Sequence, residues 1–205
     1  MNSNASIALI DYGAGNVPSV ERALQKLGAS AKRVTHFNEL DGARAIILPG
    51  VGHYAAIIRA LDEKNLRGAL LKAITRGIPF LGICLGLQAL YSTSEEAPAL
   101  FGLNLFQGTV RSLPTTVKLP HMGWNRLRIQ RASQLLAGLS ESDYFYFAHT
   151  FAAIAPISEA VATCDHGADF AAVLERHNIF ATQFHPEKSG AAGARLLQNF
   201  VELAA

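Results

Sequence analysis

Apolar runs and helical patterns alternate along the first half of the chain. Residues 6–11 form a short apolar run that ends in a glycine-rich turn at residues 13–16. Apolar residues then recur at helical spacing, namely Val17, Val20, Leu24 and Leu27. A period of two or a continuous apolar run indicates a strand, and a period near 3.6 indicates a helix. This stretch therefore predicts a strand, a loop and a helix.

The same unit then repeats. Residues 45–48 are apolar and stop at a Pro-Gly turn, and helical patterns follow at residues 54–61 and up to Arg76, where Gly77 ends them. Residues 78–83 are apolar on both faces, as expected of a central parallel strand, and run directly into a helical pattern at residues 85–90. This half of the chain predicts a doubly wound α/β fold with helices on both faces of a mostly parallel sheet.

Short strand-like runs replace helices between about residues 104 and 184, as at residues 108–113, 143–147 and 179–184. The chain then ends in a helical pattern with Ala194, Leu197, Phe200 and Val201. We expect a mixed central sheet, an antiparallel-rich C-terminal half, and a final helix that covers one face of that sheet. No repeat, linker or low-complexity segment is evident, so residues 1–205 are predicted to form a single domain.

Composition narrows the classes of function. Lys plus Arg number 18 against 16 for Asp plus Glu, and they are scattered, so no basic surface for nucleic acid is expected. The N-terminus lacks a charged head with a long apolar stretch, and no apolar run reaches the length of a membrane span. Cys84 and Cys164 are predicted to be free thiols of a cytoplasmic protein.

The strongest chemical signal is Gly82-Ile83-Cys84-Leu85-Gly86, where a buried strand turns into a helix. Small residues on either side allow the sharp turn of a nucleophile elbow, here with cysteine in the place of serine. The helix N-terminus favours a thiolate, and the Leu85 backbone N–H points towards the position of an oxyanion. A buried core cysteine between packing glycines is the alternative interpretation of this pattern.

A base and an acid follow about 100 residues later in His185-Pro186-Glu187, after an apolar strand. Residues of a catalytic triad are commonly distant in sequence and adjacent in space. His185 would exchange the proton of Cys84 while Glu187 holds the other imidazole nitrogen. Taken alone, His185 would be interpreted as an exposed side chain, and Cys84 is what makes the catalytic interpretation preferable.

The loop Pro49-Gly50-Val51-Gly52 follows another predicted parallel strand, so it falls on the same edge of the sheet. Residues without bulky side chains let backbone N–H groups approach a substrate oxygen, which makes this loop a candidate for the second oxyanion donor. A plain strand-to-helix turn is the other interpretation.

Together, these three segments resemble the class I (triad) glutamine amidotransferases over essentially the whole chain. The resemblance implies attack of Cys84 on the glutamine amide, release of ammonia and hydrolysis of a glutamyl thioester. It also implies that Gln88 and Glu96 contact the α-amino end of glutamine, and that the backbone at Thr150 and Phe151 contacts its α-carboxylate. Neither a cofactor nor a metal is implied.

Four further segments resemble one branch of that family, the glutaminase subunits of imidazole glycerol phosphate synthases in histidine biosynthesis. They are residues 11–16, 120–125, 146–151 and 183–190. In that branch the glutaminase docks on a separate (βα)₈-barrel cyclase subunit and passes ammonia to it as a heterodimer. The resemblance makes Asn16, Trp124 and Lys188 candidates for that interface; for Trp124 the alternative is core packing, and for Lys188 a solvated charge.

Some residues depart from the branch, and some alternatives remain open. Leu87, Thr150, Phe151 and Pro18 differ from the usual residues, and the last two lose a hydrogen-bonding group. A glutaminase serving a different synthase, such as the one that makes pyridoxal phosphate, and a catalytically silent regulatory partner are the competing hypotheses. The spacing of Cys164, Asp165, His166 and His149 does not match a metal site, and Pro18 stands where a dinucleotide-binding loop needs glycine.

Overall fold

The computed structural model describes residues 7–13, 16–154 and 158–204. Ser6, Ala14 and Gly15, assigned from the sequence to the first strand and its loop, lie outside the described residues. The strands are β1 Ile7–Ile10, β2 Ala31–Val34, β3 Ala45–Gly50, β4 Phe80–Cys84, β5 Tyr91–Ser94, β6 Phe106–Ser112, β7 His121–Arg126, β8 Arg128–Ile129, β9 Tyr144–His149, β10 Phe151–Ala152, β11 Ala160–Asp165, β12 Asp169–Arg176 and β13 Ile179–Thr182. The helices are α1 Val17–Lys26, α2 Tyr54–Glu63, α3 Leu66–Thr75, α4 Leu85–Gln88 and α5 Gly190–Leu203, with 3₁₀ turns at Phe37–Leu40 and Pro186–Lys188.

An eight-stranded sheet forms the centre of the protein, in the order β2-β1-β3-β4-β13-β12-β11-β8. The first five of these strands run parallel, and β12, β11 and β8 continue the sheet in antiparallel fashion. The prediction of a mixed, mostly parallel sheet with an antiparallel-rich C-terminal half is therefore confirmed. Two smaller sheets, β10-β6-β5 and β7-β9, lie beside it.

Alternating side chains of the sheet build two cores, one on each face. In β1, Ala8 and Ile10 pack with α2 and α3, whereas Ile7 and Leu9 pack with α1 and α5. This is the expected consequence of the two-residue period of a strand buried on both faces. The predicted final helix does cover one face, since Leu197 and Phe200 of α5 are fully buried there; each such side chain stabilises the fold by about 1.5–3 kcal/mol.

The helix predicted at residues 85–90 is shorter than expected. It ends at Gln88, and β5 begins at Tyr91. The carbonyls of Ala89 and Leu90 accept hydrogen bonds from residues 103–106, so they satisfy their hydrogen bonding without a continued helix. Helix α4 is therefore a single turn, and the dipole argument for the thiolate reduces to the local N–H groups at its start.

Strand β2 was not predicted, because it lies at the edge of the sheet and only Val34 of its four residues is buried. Both cysteines are buried free thiols, as predicted. Among the helices of the described ranges, none is both long and apolar enough to cross a membrane.

Candidate active site

The three loops singled out in the sequence meet at one edge of the central sheet. Strand β4 is flanked by β3 and β13, both parallel to it, with Gly50 opposite Cys84 and Thr182 opposite Ile83. Since the carboxyl ends of parallel strands lie at the same edge, Cys84, residues 50–52 and His185 are brought together there. Ligands bind in α/β proteins at this edge.

Cys84 has the sharp backbone turn of a nucleophile elbow. Its φ and ψ angles are 54° and −105°, a region that L-residues rarely adopt and that costs roughly 1–3 kcal/mol. Neighbouring glycines make room for the turn, because a Cβ on Gly86 would lie 2.0 Å from the Leu48 carbonyl oxygen and one on Gly82 would lie 2.8 Å from the Gly86 oxygen. The side chain is thereby held at the end of β4.

The imidazole of His185 is held by a buried carboxylate. Its Nδ1 lies 2.8 Å from Glu187 Oε1, and both side chains are almost fully buried. Asn16 donates from Nδ2 to the same carboxylate oxygen over 2.6 Å. Ser189 adds a further constraint, because its hydroxyl donates to the His185 carbonyl over 2.7 Å. With Nδ1 engaged, Nε2 is the nitrogen left for the sulfur.

The electrostatics of this group favour a protonated imidazole. Burial on its own lowers the pKa of His185, but the hydrogen bond and charge of Cys84 and those of Glu187 outweigh it and raise the pKa to about 10. At neutral pH His185 is therefore protonated, with its positive charge beside the Cys84 sulfur. A positively charged group next to a cysteine is what activates it as a nucleophile.

A cavity of about 280 Å³ opens above the sulfur, close to the lower end of the range for small-molecule sites, roughly 300 Å³. Besides Cys84 and His185, it is lined by seven of the eight substrate-binding candidates: Val51, Gly52, Leu85, Gln88, Glu96, Thr150 and Phe151. Gly50 does not line it; a Cβ there would lie 2.7 Å from the Leu85 Cβ. The absence of a side chain at Gly50 thus lets α4 approach β3.

The candidate oxyanion loop is tied to Tyr12. The Val51 N–H donates to the Tyr12 hydroxyl over 3.3 Å, and this hydroxyl lies 3.4 Å from the Val51 carbonyl oxygen, to which it donates. In this conformation the Val51 N–H is turned to Tyr12 and not to a substrate oxygen. Burial raises the pKa of Tyr12 to about 12, against the opposing effect of the Val51 hydrogen bond, so the hydroxyl stays protonated.

Gln88 and Glu96 both line the cavity, and each is held by a hydrogen bond to the backbone. Glu96 Oε2 accepts from the Tyr54 N–H at the start of α2 over 2.7 Å, which fixes the carboxylate at the cavity wall. Gln88 donates from Nε2 to the Phe151 carbonyl over 2.7 Å. The Thr150 carbonyl accepts from the Leu113 N–H, so both carbonyls of the predicted carboxylate-binding backbone are already engaged.

A chain of neutral histidines ends at the same Phe151 carbonyl. A carbonyl only accepts, so His149 Nδ1, at 3.0 Å, must carry a proton, and its Nε2 then accepts from His121 Nδ1 at 3.1 Å. His121 Nε2 in turn accepts from Asn125 Nδ2 at 3.3 Å. The contacts assign both tautomers and give the chain one direction, from Asn125 to Phe151.

Low pH should destabilise the fold through this histidine chain. Burial, followed by the neighbouring His166, lowers the pKa of His121 to about 4; burial, followed by His121, lowers that of His149 to about 3. In the unfolded chain a histidine takes up its proton near pH 6.5. Between that value and about pH 4 the unfolded state therefore binds more protons, and stability falls as the pH falls.

The interface candidates lie near the mouth of the cavity. Trp124 is 55% exposed, so core packing, its alternative interpretation, is wrong. Its ring meets that of Tyr146 edge-on at 5.9 Å, and Lys188 Nζ lies 5.7 Å from the centre of the same ring. Lys188 is exposed and also lines the cavity. Asn16, by contrast, contacts the triad carboxylate directly.

The residues that the structure describes contain no group of three or more His, Cys, Asp or Glu side chains placed to hold a metal ion. The histidines near Cys164 instead contact one another, with His121 stacked on His166 at 4.2 Å.

Tyr12, His121 and Gln183 lie in segments that resemble the family, but no pattern in the sequence assigns these three residues a role. Their contacts join residues 28 to 99 positions apart, so no local pattern reports them. The one available signal was their position inside the motif-like segments at residues 11–16, 120–125 and 183–190.

Comparison with known proteins agrees with this geometry. The model of the class-I glutamine amidotransferase family matches residues 8–204, and the chain belongs to that family. The solved structure titled "Crystal structure of glutamine amidotransferase" has the same fold, with a TM-score of 0.77 at 22% identity, covering 96% of this chain and 98% of that one.

Relatives that are similar over nearly the whole chain belong to one branch of this family. The imidazole glycerol phosphate synthase subunit HisH of Methanothermobacter thermautotrophicus is 49% identical over 197 residues, which cover 96% of this chain and 98% of that protein. The subunit HisH of Moorella thermoacetica is 44% identical over 198 residues, which cover 96% of this chain and 94% of that protein. Within the class-I family, this chain groups with the HisH subunits.

Proposed function

We propose that this chain is the glutaminase subunit of an imidazole glycerol phosphate synthase. It hydrolyses glutamine to glutamate and ammonia, and passes the ammonia to a separate cyclase subunit in histidine biosynthesis. The observation that carries the proposal is the buried His185–Glu187 pair beside Cys84 at the floor of a cavity, in a chain 49% identical to a HisH subunit.

The reaction begins with the Cys84 sulfur. The thiolate attacks the side-chain amide carbon of glutamine, and the carbonyl oxygen becomes an oxyanion that the Leu85 N–H stabilises. His185 then gives its proton to the amide nitrogen, which leaves as ammonia as the carbonyl re-forms. The product of this half-reaction is a glutamyl thioester on Cys84.

Water completes the cycle. His185, now neutral, takes a proton from a water molecule, which attacks the thioester carbon. The carbon–sulfur bond breaks, glutamate leaves, and the thiolate and the imidazolium are restored. Glu187 keeps the imidazole in one orientation in both halves and stabilises its positive charge.

The cavity has groups suited to both ends of the substrate. The Glu96 carboxylate and the Gln88 side chain would receive the α-ammonium group, and backbone N–H groups at Thr150 and Phe151 the α-carboxylate. Their support is that all four residues line the same cavity as Cys84.

An exposed aromatic surface beside the cavity suits the partner subunit. Trp124 on β7 lies opposite Tyr146 on β9, and Met122 and Tyr144 are more than half exposed. Large exposed apolar groups around a cavity mouth indicate a docking surface. We propose that the (βα)₈-barrel cyclase docks here as a heterodimer and covers Trp124 and Lys188, with Asn16 at the edge of the contact.

The Tyr12–Val51 contact suggests how docking and catalysis are linked. For Val51 to stabilise the oxyanion, its N–H must leave Tyr12 and turn into the cavity. We therefore expect this turn of the loop to limit the rate of glutamine hydrolysis in the isolated subunit. Partner binding is expected to favour the conformation in which the Val51 N–H points into the cavity.

The competing hypotheses have less support. A glutaminase for a different synthase is disfavoured because the relatives are HisH subunits, and a silent partner would not need Cys84 in a strained elbow beside His185. Residues 1–205 are proposed to act as one domain. We also place the protein in the cytoplasm, where reducing conditions keep Cys84 a thiol.

Glutamate release from glutamine tests the proposal, first with this chain alone and then with a cyclase subunit and its nucleotide ligand. We expect a many-fold rise on addition of the partner, and no release by Cys84→Ala, which should unfold at a similar temperature. Full activity that ignores the cyclase would refute the pathway, and glutamate release by Cys84→Ala would refute the mechanism.

A further inference from the structure

A second side chain contacts the nucleophile. Gln183 is fully buried, and its Nε2 lies 3.6 Å from the Cys84 sulfur, within the range of an N–H···S hydrogen bond. It follows the end of β13, next to β4, and lies two residues before His185. Neither half of the proposed reaction involves the Gln183 side chain.

The orientation of the Gln183 amide follows from its neighbours. The Phe151 carbonyl can only accept, so Gln88 must present its Nε2 to it, at 2.7 Å. The second proton of this Nε2 points to Gln183 Oε1, at 3.3 Å. With its oxygen held by Gln88, Gln183 can turn only its NH₂ group to the sulfur.

We propose that Gln183 is a further catalytic residue, which donates a hydrogen bond to the Cys84 thiolate in addition to that from His185. This inference rests on the proposed glutaminase function. A donor to a charged acceptor stabilises the charged form more than the neutral one. Gln183 thereby raises the fraction of thiolate in the free enzyme and stabilises the sulfur when it leaves the thioester.

Gln88 acts on the sulfur through Gln183 and is in this respect a positioning residue. Because its Nε2 bridges Phe151 and Gln183, the contact between Gln88 and the substrate is coupled to the donor on the nucleophile. The Gln88 amide thus holds both the substrate-binding residue Phe151 and the donor to the nucleophile. Catalysis by orientation requires that the substrate and the nucleophile are positioned relative to each other in this way.

The test is the pH dependence of Cys84 alkylation by iodoacetamide in the whole chain. Gln183→Met keeps the length of the side chain and removes both amide groups. We expect the pH of half-maximal alkylation to rise by about one unit, with kcat for glutamine about tenfold lower and KM within about twofold. Gln130→Met, the same change at an exposed position after β8, is the control and should move neither value.

A folded Gln183→Met protein with an unchanged alkylation midpoint would overturn the proposal. If that variant does not fold, the test is an NMR pH titration of the wild-type protein labelled with ¹⁵N-glutamine. The side-chain amide signals of Gln183 should shift with a midpoint at the pH of half-maximal alkylation. Signals that do not shift across this pH would also overturn the proposal. Alkylation reports on the sulfur alone. A shifted midpoint in a protein that releases no glutamate would refute the glutaminase while leaving the Gln183 contact intact.

Discussion

Deleting a single oxygen atom, that of the Tyr12 hydroxyl, would remove the contact between Tyr12 and Val51. Tyr12→Phe deletes the hydroxyl that accepts from the Val51 N–H and donates to its carbonyl. The ring is 4% exposed and packs in the core, so the phenylalanine should fill the same space. The loop at residues 50–52 would then be freer to turn its N–H into the cavity.

The size of the effect follows from the geometry. Both hydrogen bonds are long, at 3.3 and 3.4 Å, and an ordinary hydrogen bond contributes a net stabilisation of about 0.5–1.5 kcal/mol. Two weak hydrogen bonds together favour the conformation in which Val51 is bonded to Tyr12, here called the closed loop, by about 1–2 kcal/mol. This corresponds to a population ratio of roughly 5 to 30 over the conformation with the N–H in the cavity. If turning of the loop limits the isolated subunit, basal glutamate release by Tyr12→Phe should rise by about that factor.

The assay is glutamate release with and without the cyclase subunit and its ligand. Activity in the complex should change little, so the stimulation by the partner should fall. Tyr91→Phe is a matched control, because the Tyr91 hydroxyl is buried with no hydrogen-bond partner among the described residues and is not part of the cavity. Unchanged or lower basal activity in Tyr12→Phe would refute the idea that Tyr12 holds the loop closed.

Three further predictions concern other buried contacts. Asn16→Leu removes the 2.6 Å hydrogen bond to Glu187 and should lower kcat about tenfold or more, both alone and in the complex; an effect on cyclase affinity alone, measured by titration, would contradict a role in the triad. His149→Gln should reduce the loss of unfolding free energy between pH 6.5 and 4, measured by urea titration, by up to about 1.4 kcal/mol per pH unit, and an unchanged slope would contradict the neutral histidine chain. Tyr91→Phe should stabilise the protein by about 1 kcal/mol in the same urea assay, because it removes a buried hydroxyl without a partner; a loss of stability would show that the hydroxyl is satisfied.

The parallel half of the fold could be predicted because its signals are local. Strands β1, β3 and β4 are fully buried, and such strands appear in the sequence as continuous apolar runs. The short α4 could not be predicted in the same way, because what ends it are hydrogen bonds from residues 103–106, which no helical period reports. Strand β2, with its single buried residue, presents no apolar pattern at all.

The same distinction applies to the site. Cys84 and His185 each follow a predicted strand, so their meeting at one sheet edge was foreseeable from topology. The direction of the Val51 N–H, in contrast, depends on a tyrosine 39 residues away. Likewise the sequence predicts only an interface role for Asn16, whereas its amide also bonds to Glu187, 171 residues away. Side-chain contacts of this kind depend on the finished fold.

Two sets of contacts near the active site differ in how easily they can rearrange: the hydrogen-bonded path that ends at Cys84, and the contact between Tyr12 and the loop at residues 50–52. From Asn125 through His121 and His149 to Phe151, and from there through Gln88 and Gln183 to Cys84, every donor and acceptor is assigned by its neighbour. This path joins the region of the aromatic surface to the nucleophile, but a path alone does not transmit a signal; transmission needs an element with two arrangements that both sites bias. With each tautomer and amide fixed, the path has one arrangement, so it holds the nucleophile and the substrate-binding strand in place. The loop at residues 50–52 is different, because its contact with Tyr12 consists of two long hydrogen bonds and can be broken at small cost. Regulation by the cyclase should therefore act through the loop, and variants of His121 or His149 should lower activity by a similar factor with and without the partner.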